Sequence, residues 1–242
     1  MKAFILAAGF GTRMGELTAD RPKPMLPVGG YPMLLYALFR VLRWGLDEAI
    51  INLHYRAGAI EEALRDFPHF PIRFSHEKDI LGTAGGIARV CGTLLDRDET
   101  ILVLNPDTVL IPDPHDRPPP SLDPEADSLL YLAPKEPGKQ EMGFRFTTGT
   151  DRIAMDPTAE YFYIGVGLLR MSLLANVEPD VACGLGPFWQ QASLAGRLRG
   201  RQFLGKHFDC GTREAYLAVK DRDLIPAYEK DKWHNFISWR TW

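Results

Sequence analysis

Apolar residues occur in short blocks along the first half of the chain, and the length and period of each block predict its secondary structure. Residues 3–8, 48–53 and 100–104 are apolar runs of strand length. Residues 33–44 are apolar all along a helical stretch, and residues 57–67 have their apolar positions on one helical face. Strands that alternate with helices in this way predict an α/β fold built on a mixed, mostly parallel sheet flanked by helices.

The second half of the chain follows a different pattern, in which short strands alternate with turn residues. Prolines crowd the segment after Asp107, which predicts a loop and a subdomain boundary there. Strands are expected at 128–133, 142–147, 152–155 and 161–170. We therefore expect a smaller, more antiparallel portion in this half.

Towards the carboxyl end, the pattern predicts helices at 186–198 and 213–223, with a short strand at 202–204 between them. Thr212 is expected to cap the second helix. Residues 223–242 form a tail that holds three of the five tryptophans. So many indoles favour a tail that packs on its own domain, with a dimer contact as the alternative.

Composition and charge argue against several classes of function. The 242 residues carry 28 Lys and Arg against 31 Asp and Glu, a formal net charge of −3, which argues against a general nucleic-acid or membrane-surface binder. No apolar run approaches the roughly 20 residues of a membrane span, so we expect a cytoplasmic protein without a membrane partner. Cys91, Cys183 and Cys210 lack C-x-x-C spacing, which indicates neither a disulfide framework nor a zinc site.

The strongest chemical signal lies in residues 6–27, LAAGFGTRMGELTADRPKPMLP. Gly9 and Gly11 follow a strand, and they let main-chain N–H groups approach one anion without interference from a Cβ atom. Arg13 carries the planar fork that binds phosphate oxygens bidentately. Lys23 lies between two prolines, which we expect to hold it extended with its ammonium group projecting from a stiff segment. The stretch therefore predicts a polyphosphate site.

Two common glycine motifs do not fit this stretch. A Walker A loop ends in Gly-Lys-Ser/Thr, and a dinucleotide fingerprint needs a third glycine where this chain has Met14. The stretch resembles instead the signature of the sugar-1-phosphate nucleotidyltransferases, a strand followed by L-A-G/A-G-x-G-T-R-L/M and, after a short spacer, by P-K-P. Every fixed position of that pattern is occupied here. The resemblance implies a Rossmann-like fold of the nucleotide-diphospho-sugar transferase, or GT-A-like, type.

The resemblance also implies a reaction and a set of site residues. The enzyme would condense a nucleoside triphosphate (NTP) with a sugar 1-phosphate, giving a nucleotide sugar and pyrophosphate. The expected catalytic residues are Arg13, Lys23 and Asp107. The expected nucleotide contacts are Leu6, Ala7, Ala8, Gly9, Gly11, Thr12, Arg13, Lys23, Gly82, Thr83, Gly85 and Asn105. The expected sugar contacts are Gly143, Glu160 and Gly165.

Asp107 and Asp209 are the expected ligands of a Mg²⁺ cofactor. Members of the family place one aspartate after the central strand and another in a D-I/V-G-T-P-E element, and the matching segments here read NPDT and HFDCGT. Mg²⁺ prefers carboxylate and phosphate oxygens and usually takes one or two protein carboxylates. Two aspartates from opposite halves of the chain suit an ion that bridges to the substrate.

The resemblance leaves the substrates open. The compact length is most similar to bacterial enzymes that activate N-acetylmuramate 1-phosphate with UTP, which we slightly prefer, or mannose and heptose 1-phosphates with GTP. Larger members carry Glu-Lys-Pro where this chain has residues 155–157, Met-Asp-Pro, which puts the identity of the sugar in doubt. Cytidylyl transfer to phosphocholine and a non-catalytic nucleotide-sugar sensor are further alternatives. A sensor would be expected to lose Arg13, Lys23 or one of the two aspartates. This chain keeps Arg13, Lys23, Asp107 and Asp209.

The resemblance covers about residues 1–222, which we expect to form one nucleotidyltransferase domain. Its nucleotide-binding half would be about 1–111 and its sugar-binding and metal half about 126–222, followed by the tail at 223–242. The expected partners are the NTP and the sugar 1-phosphate, and the expected assembly is a monomer or a homodimer.

Overall fold

The structure is a computed structural model that describes residues 1–116, 118, 121–135, 142–178 and 180–242. It divides the chain into two compact units, each assembled from separate segments. Unit 1 comprises Met1, Leu81–Leu104 and Pro118–Leu204, and unit 2 comprises Lys2–Ile80, Asn105–Arg117 and Gly205–Trp242. Asp209 therefore belongs to the same unit as the glycine stretch. The division of the chain into a nucleotide half and a sugar half stays a prediction.

The regular elements follow the chain in alternation. The strands are β1 Lys2–Leu6, β2 Pro27–Val28, β3 Tyr31–Pro32, β4 Glu48–Leu53, β5 Ile72–His76, β6 Thr100–Leu104, β7 Thr108–Pro112, β8 Ser128–Pro134, β9 Gly143–Phe146, β10 Ile153–Met155, β11 Tyr161–Arg170, β12 Leu198–Gln202 and β13 Gly205–Asp209. The α-helices are α1 Met33–Arg43, α2 Ala57–Ala63, α3 Gly82–Arg89, α4 Gly186–Leu194, α5 Arg213–Leu217 and α6 Lys230–Ile237. Single turns of 3-10 helix span Lys23–Met25, Met171–Leu174 and Ala227–Glu229, and a longer, kinked 3-10 segment spans Thr12–Thr18.

The sheet of unit 2 is parallel where the glycine stretch begins. Strand β4 lies between β1 and β5, and it pairs with both in parallel. The middle of β1 and nearly all of β4 are buried, as expected for strands covered on both faces. Because the strands run in parallel, their carboxyl ends lie at one edge, where the segment after Leu6 begins.

Unit 1 holds the antiparallel portion. Strand β11 pairs in antiparallel fashion with β6, β8 and β9, while β12 joins β8 in parallel. The predicted fold class, a mixed sheet flanked by helices with a smaller antiparallel portion, is confirmed.

The segment after Asp107 differs from the predicted loop. Thr108–Pro112 forms β7, which pairs with β13 in an antiparallel ladder that ends with Thr108 opposite Asp209. Proline at position 112 closes the strand, where it does not interrupt the ladder. The prolines thus mark the end of a strand, and the predicted loop is wrong for residues 108–112.

Helix and strand boundaries near the carboxyl end also differ from prediction. Helix α4 ends at Leu194, because Gly196 turns the chain at φ +65° and Leu198 starts β12. The expected strand at 202–204 is wrong, since Gln202 ends β12 and β13 begins at Gly205. Helix α5 is shorter than predicted, but its cap is confirmed, as Thr212 Oγ1 accepts a 3.2 Å hydrogen bond from the Ala215 N–H.

The tail packs on its own unit, as the favoured reading predicted. The Trp233 ring of α6 stacks on Tyr36 at 4.7 Å and meets Phe39 of α1 edge-on at 5.2 Å. Glu229 just before α6 forms a buried 2.5 Å ion pair with Arg40 of α1. Burial of these aromatic rings ties the carboxyl end to α1.

Within the described residues, every helix is too short or too polar to span a membrane.

Candidate active site

A cleft of about 310 Å³ opens in unit 2 beside the glycine stretch. The residues around it are Leu6, Ala7, Gly9, Phe10, Gly11, Thr12, Arg13, Lys23, Pro24, Pro106, Asp107 and Gly211. Most of the predicted nucleotide contacts of unit 2 and all three predicted catalytic residues are therefore together. Ala8 and Asn105 lie in the same segments but do not line the cleft, and Ala8 is buried.

The glycine turn packs against the protein at Gly11 and is open at Gly9. Gly11 has φ +69°, and a Cβ atom there would lie 3.0 Å from Thr18 Cγ2 and 3.1 Å from Lys23 Cβ. The Thr18 hydroxyl, in turn, lies 3.2 Å from the Gly11 carbonyl oxygen. Gly9, in contrast, has open space where a Cβ would stand. The positive φ and the close contacts of Gly11 require glycine at that position. At position 9 the protein leaves room for a larger residue.

A buried polar chain fixes the start of the turn. The Ala7 N–H donates to Asn52 Oδ1 at 2.7 Å, and Asn52 Nδ2 donates to Glu77 Oε1 at 2.7 Å. Asn52 and Glu77 are almost fully buried, so this network aligns β1 with β4 and β5 at the edge where the turn begins. Sequence reasoning missed both residues. The signal was the amide of Asn52 inside an otherwise apolar strand.

The backbone conformation and the burial of Lys23 both differ from those predicted. It opens the 3-10 turn Lys23–Met25 instead of lying extended, and only 8% of its surface is exposed. Its ammonium group donates to Asp107 Oδ2 at 2.5 Å and to the Gly211 carbonyl oxygen at 3.1 Å. The expectation of a projecting ammonium is wrong, because the aspartate and carbonyl hold it against the floor of the cleft.

Arg13 has the opposite environment. Its side chain is exposed at the cleft, and among the described residues it makes no ion pair. An unpaired guanidinium at the edge of a cleft is available to an anionic ligand. The two cations thus differ, with Lys23 fixed within the fold and Arg13 open to solvent.

Asp107 and Asp209 emerge from the same end of the β7–β13 ladder. Asp107 immediately precedes Thr108, which is paired with Asp209, and the Cys210 N–H donates to the Asp107 carbonyl oxygen at 2.8 Å. Asp209 Oδ1 accepts a 2.7 Å hydrogen bond from the Gly211 N–H. Two residues about 100 positions apart in the chain are neighbours here because an antiparallel ladder joins their segments.

This donor set fits Mg²⁺. Within the described residues, each carboxylate has one oxygen in a hydrogen bond and one without. No group of three or more His, Cys, Asp or Glu residues is suited to hold a metal in that part of the chain. Two carboxylates alone suit an ion that takes its remaining ligands from substrate phosphate and water.

Cys210, between these aspartates, is not equipped for nucleophilic chemistry. Burial, with a smaller effect from the charges of Asp209 and Asp107, raises the pKa of its thiol to about 12. A thiol with that pKa stays protonated near neutral pH. The side chain is fully buried.

The predicted base contacts at Gly82, Thr83 and Gly85 lie in unit 1. The Ala84 and Gly85 N–H groups donate to the Cys183 carbonyl oxygen at 3.0 and 3.2 Å. A Cβ on Gly85 would lie 2.5 Å from the Val181 carbonyl oxygen. Residues 181–183 therefore cover Gly85, whereas Gly82 is exposed.

The predicted sugar contacts also lie in unit 1, along β9 and β11. Gly143 is paired with Phe162, and its backbone packs so closely that a Cβ would lie 2.4 Å from the Asp156 carbonyl oxygen. Gly165 has φ +84° at an irregularity in β11, and Glu160 is exposed just before that strand. The structure places the three along one pair of strands, and their role in sugar binding stays a prediction.

A mixed α/β fold with an open glycine turn, two cations and Asp107 around one cleft, and with Asp209 on the adjoining end of the β7–β13 ladder, defines a class of enzymes that act on polyphosphate substrates. A family model described as nucleotidyl transferase matches residues 2–116. The N-acetylmuramate alpha-1-phosphate uridylyltransferase of Caulobacter vibrioides is 30% identical over 236 residues, covering 91% of this chain and 96% of that protein. The mannose-1-phosphate guanylyltransferase of Mycobacterium tuberculosis is 37% identical over 109 residues, covering 44% of this chain and 30% of that protein.

A solved structure shows the same fold. The crystal structure of UDP-glucose pyrophosphorylase complexed with UDP-glucose matches with a TM-score of 0.70 at 19% identity, covering 95% of this chain and 98% of that one. The chain belongs to the nucleotidyl transferase family. The predicted enzyme class, a sugar-1-phosphate nucleotidyltransferase, is confirmed.

Proposed function

We propose that this enzyme transfers a uridylyl group from UTP to N-acetylmuramate 1-phosphate and releases pyrophosphate. The observation that carries this choice is coverage. The match to a uridylyltransferase of that name spans both units of the fold, 91% of this chain, whereas the guanylyltransferase match covers 44% of it.

In the proposed reaction, an oxygen of the sugar phosphate attacks the α-phosphorus of UTP, and the bond from that phosphorus to the pyrophosphate oxygen breaks. Both reactants are anions, so the protein must chiefly reduce repulsion and align the attack. The exposed guanidinium of Arg13 would bind the β and γ phosphates. Lys23 would bind the α-phosphate or the sugar phosphate.

The hydrogen bonds of Lys23 support its proposed role. Asp107 Oδ2 and the Gly211 carbonyl oxygen hold its ammonium group in place before any ligand arrives. A charge that is already oriented does not need to reorganise as negative charge develops in the transition state. Removing one such contact typically costs about a hundredfold to a thousandfold in turnover.

Asp107 and Asp209 would hold the Mg²⁺ ion of the proposed reaction. When bound, Mg²⁺ neutralises phosphate charge and orients the reacting groups. The paired ends of β7 and β13 keep the backbones of the two aspartates adjacent, and Lys23 balances part of the charge of Asp107.

The remaining assignments in the proposal come from the family resemblance. The backbone of Leu6, Ala7, Ala8 and Gly9 would contact the base, together with the exposed Gly82 and the half-buried Thr83. Gly85 is not retained as a base contact, because its N–H donates to the Cys183 carbonyl oxygen. Asn105 would also contact the nucleotide. Gly143, Glu160 and Gly165 would contact the sugar.

A pyrophosphate-release assay tests the proposal. The four common NTPs are each combined with N-acetylmuramate, mannose and heptose 1-phosphates and with phosphocholine, in the presence of Mg²⁺. We expect the fastest release from UTP with N-acetylmuramate 1-phosphate, and little release from the Asp107→Asn variant. Faster release from GTP with mannose or heptose 1-phosphate, or from CTP with phosphocholine, would overturn the substrate assignment. No release from any pair would favour a nucleotide-sugar sensor.

A further inference from the structure

Phe10 is an exposed aromatic residue inside the glycine turn. It stands between Gly9 and Gly11, lines the cleft, and has 49% of its surface exposed. A phenyl ring has no group that binds a phosphate, but its open face can stack on an aromatic ring. Phe10 therefore offers the cleft a contact for a part of a ligand other than its phosphates.

The ring is supported from one side by other rings. It meets His54 edge-on, with centroids 5.2 Å apart, and Tyr55 at 5.7 Å. These two supports are themselves tethered, since His54 Nδ1 lies 2.9 Å from the Glu77 carbonyl oxygen and the Tyr55 hydroxyl donates to the Thr18 carbonyl oxygen at 2.8 Å. His54 and Tyr55 therefore hold the Phe10 ring in place, and the rest of its surface is exposed to solvent.

The cleft has two chemically distinct ends. His54 and Tyr55 follow β4, so Phe10 marks the side of the cleft nearest that strand. Lys23 and Asp107 mark the side of β7 and β13. A nucleoside triphosphate has the same polarity, with an aromatic base at one end and a phosphate chain at the other.

The geometry points to Phe10 as a positioning residue that stacks against the nucleobase while the phosphates lie towards Lys23. This inference rests on the proposed function in requiring an NTP, but not on which sugar accepts the nucleotide. Loss of a base–aromatic stack on substitution by alanine corresponds to about a fivefold to hundredfold weaker binding. Since only part of the Phe10 ring is open, we expect about a tenfold effect.

The test compares two ligands that differ in the base. The dissociation constants of UTP and of inorganic tripolyphosphate are measured with Mg²⁺ for the full-length wild-type protein and for Phe10→Ala. We expect UTP to bind about tenfold more weakly to the variant and tripolyphosphate to bind with unchanged affinity. Leu194→Ala is the matched control, because Leu194 is an exposed apolar residue on α4 of unit 1. It should change neither constant.

A second variant keeps the test decisive if alanine disturbs the turn. Phe10→Trp preserves an aromatic face, so it should keep UTP affinity. UTP should change the tryptophan fluorescence of this variant more than that of wild type, and tripolyphosphate should not. The inference is overturned if Phe10→Ala weakens both ligands equally, weakens neither, or raises only the KM of the sugar phosphate. If wild type binds tripolyphosphate but none of the four NTPs more tightly, the proposed function fails with it. Binding of another NTP in place of UTP would overturn only the uridylyl assignment.

Discussion

Two glycine-rich turns look alike in this sequence, yet the fold uses them in opposite ways. The turn at Gly9 and Gly11 is open on its outer side and lines the cleft. The segment from Gly82 to Gly85, which forms the first turn of α3, is covered at Gly85 by the chain itself, since the Cys183 carbonyl oxygen accepts from the Ala84 and Gly85 N–H groups. Glycine allows close approach to the backbone in both places. What differs is that the first turn is open to the cleft, whereas the second contacts another segment of the protein.

The comparison extends to the charges. Near the first turn, Lys23 and Asp107 form a 2.5 Å ion pair that is largely buried and lines the cleft. Near the second, Arg89 and Asp180 form an ion pair that is substantially exposed to solvent. Exposed pairs contribute about 0 to 1 kcal/mol, so the second pair is a weak link, whereas the first fixes the position of the Lys23 ammonium group.

The largest expected effect comes from breaking the Lys23–Asp107 pair. Lys23→Met and Asp107→Asn should each lower turnover at least about a hundredfold. The first removes the cation proposed to bind a reacting phosphate, and the second removes the charge of a proposed Mg²⁺ ligand that also orients Lys23. Arg65→Met, which removes a cation from an exposed pair with Glu62, is the control and should leave turnover unchanged. Initial rates of pyrophosphate release and thermal unfolding of each variant provide the measurements. Near wild-type turnover in a folded Lys23 or Asp107 variant would remove that residue from the mechanism.

A smaller effect is expected from filling the covered turn. In Gly85→Ala, the new methyl group would lie 2.5 Å from the Val181 carbonyl oxygen. Overpacking of this kind costs about 1 to 3 kcal/mol, which exceeds the roughly 1 kcal/mol that alanine gains over glycine within a helix. The free energy of unfolding, measured with urea, should therefore fall. Unchanged stability together with weakened UTP binding would mean that this turn faces a ligand as the first one does.

The smallest expected change in stability comes from Gly9→Ala, the counterpart in the open turn. No atom lies within 4 Å of the position that its Cβ would take. The free energy of unfolding should stay within about 0.5 kcal/mol of wild type. The KM for the NTP should nevertheless rise, since the methyl group would stand where the nucleotide is proposed to approach the backbone. A lower stability with an unchanged KM would reverse the contrast between the two turns.

The pattern of apolar residues by itself determined much of the fold. Glu48–Leu53, Thr100–Leu104 and Tyr161–Arg170 are strands with the predicted ends. Apolar periodicity is a local property, so it is legible in a single chain. The signature at 6–27 likewise predicted the enzyme class, because the residue types at fixed spacing have few other uses.

Only the tertiary structure decided which of these residues meet. The ladder that brings Asp209 beside Asp107 depends on β7, which prolines concealed in the sequence. The ion pair that draws Lys23 inward overrides the expected extended conformation, and Asn52 acquires its role only when β1 lies beside β4. The openness of Gly9 and the closure of Gly85 follow from what packs nearby. Pairing, burial and access depend on residues far apart in the chain, which no local pattern records.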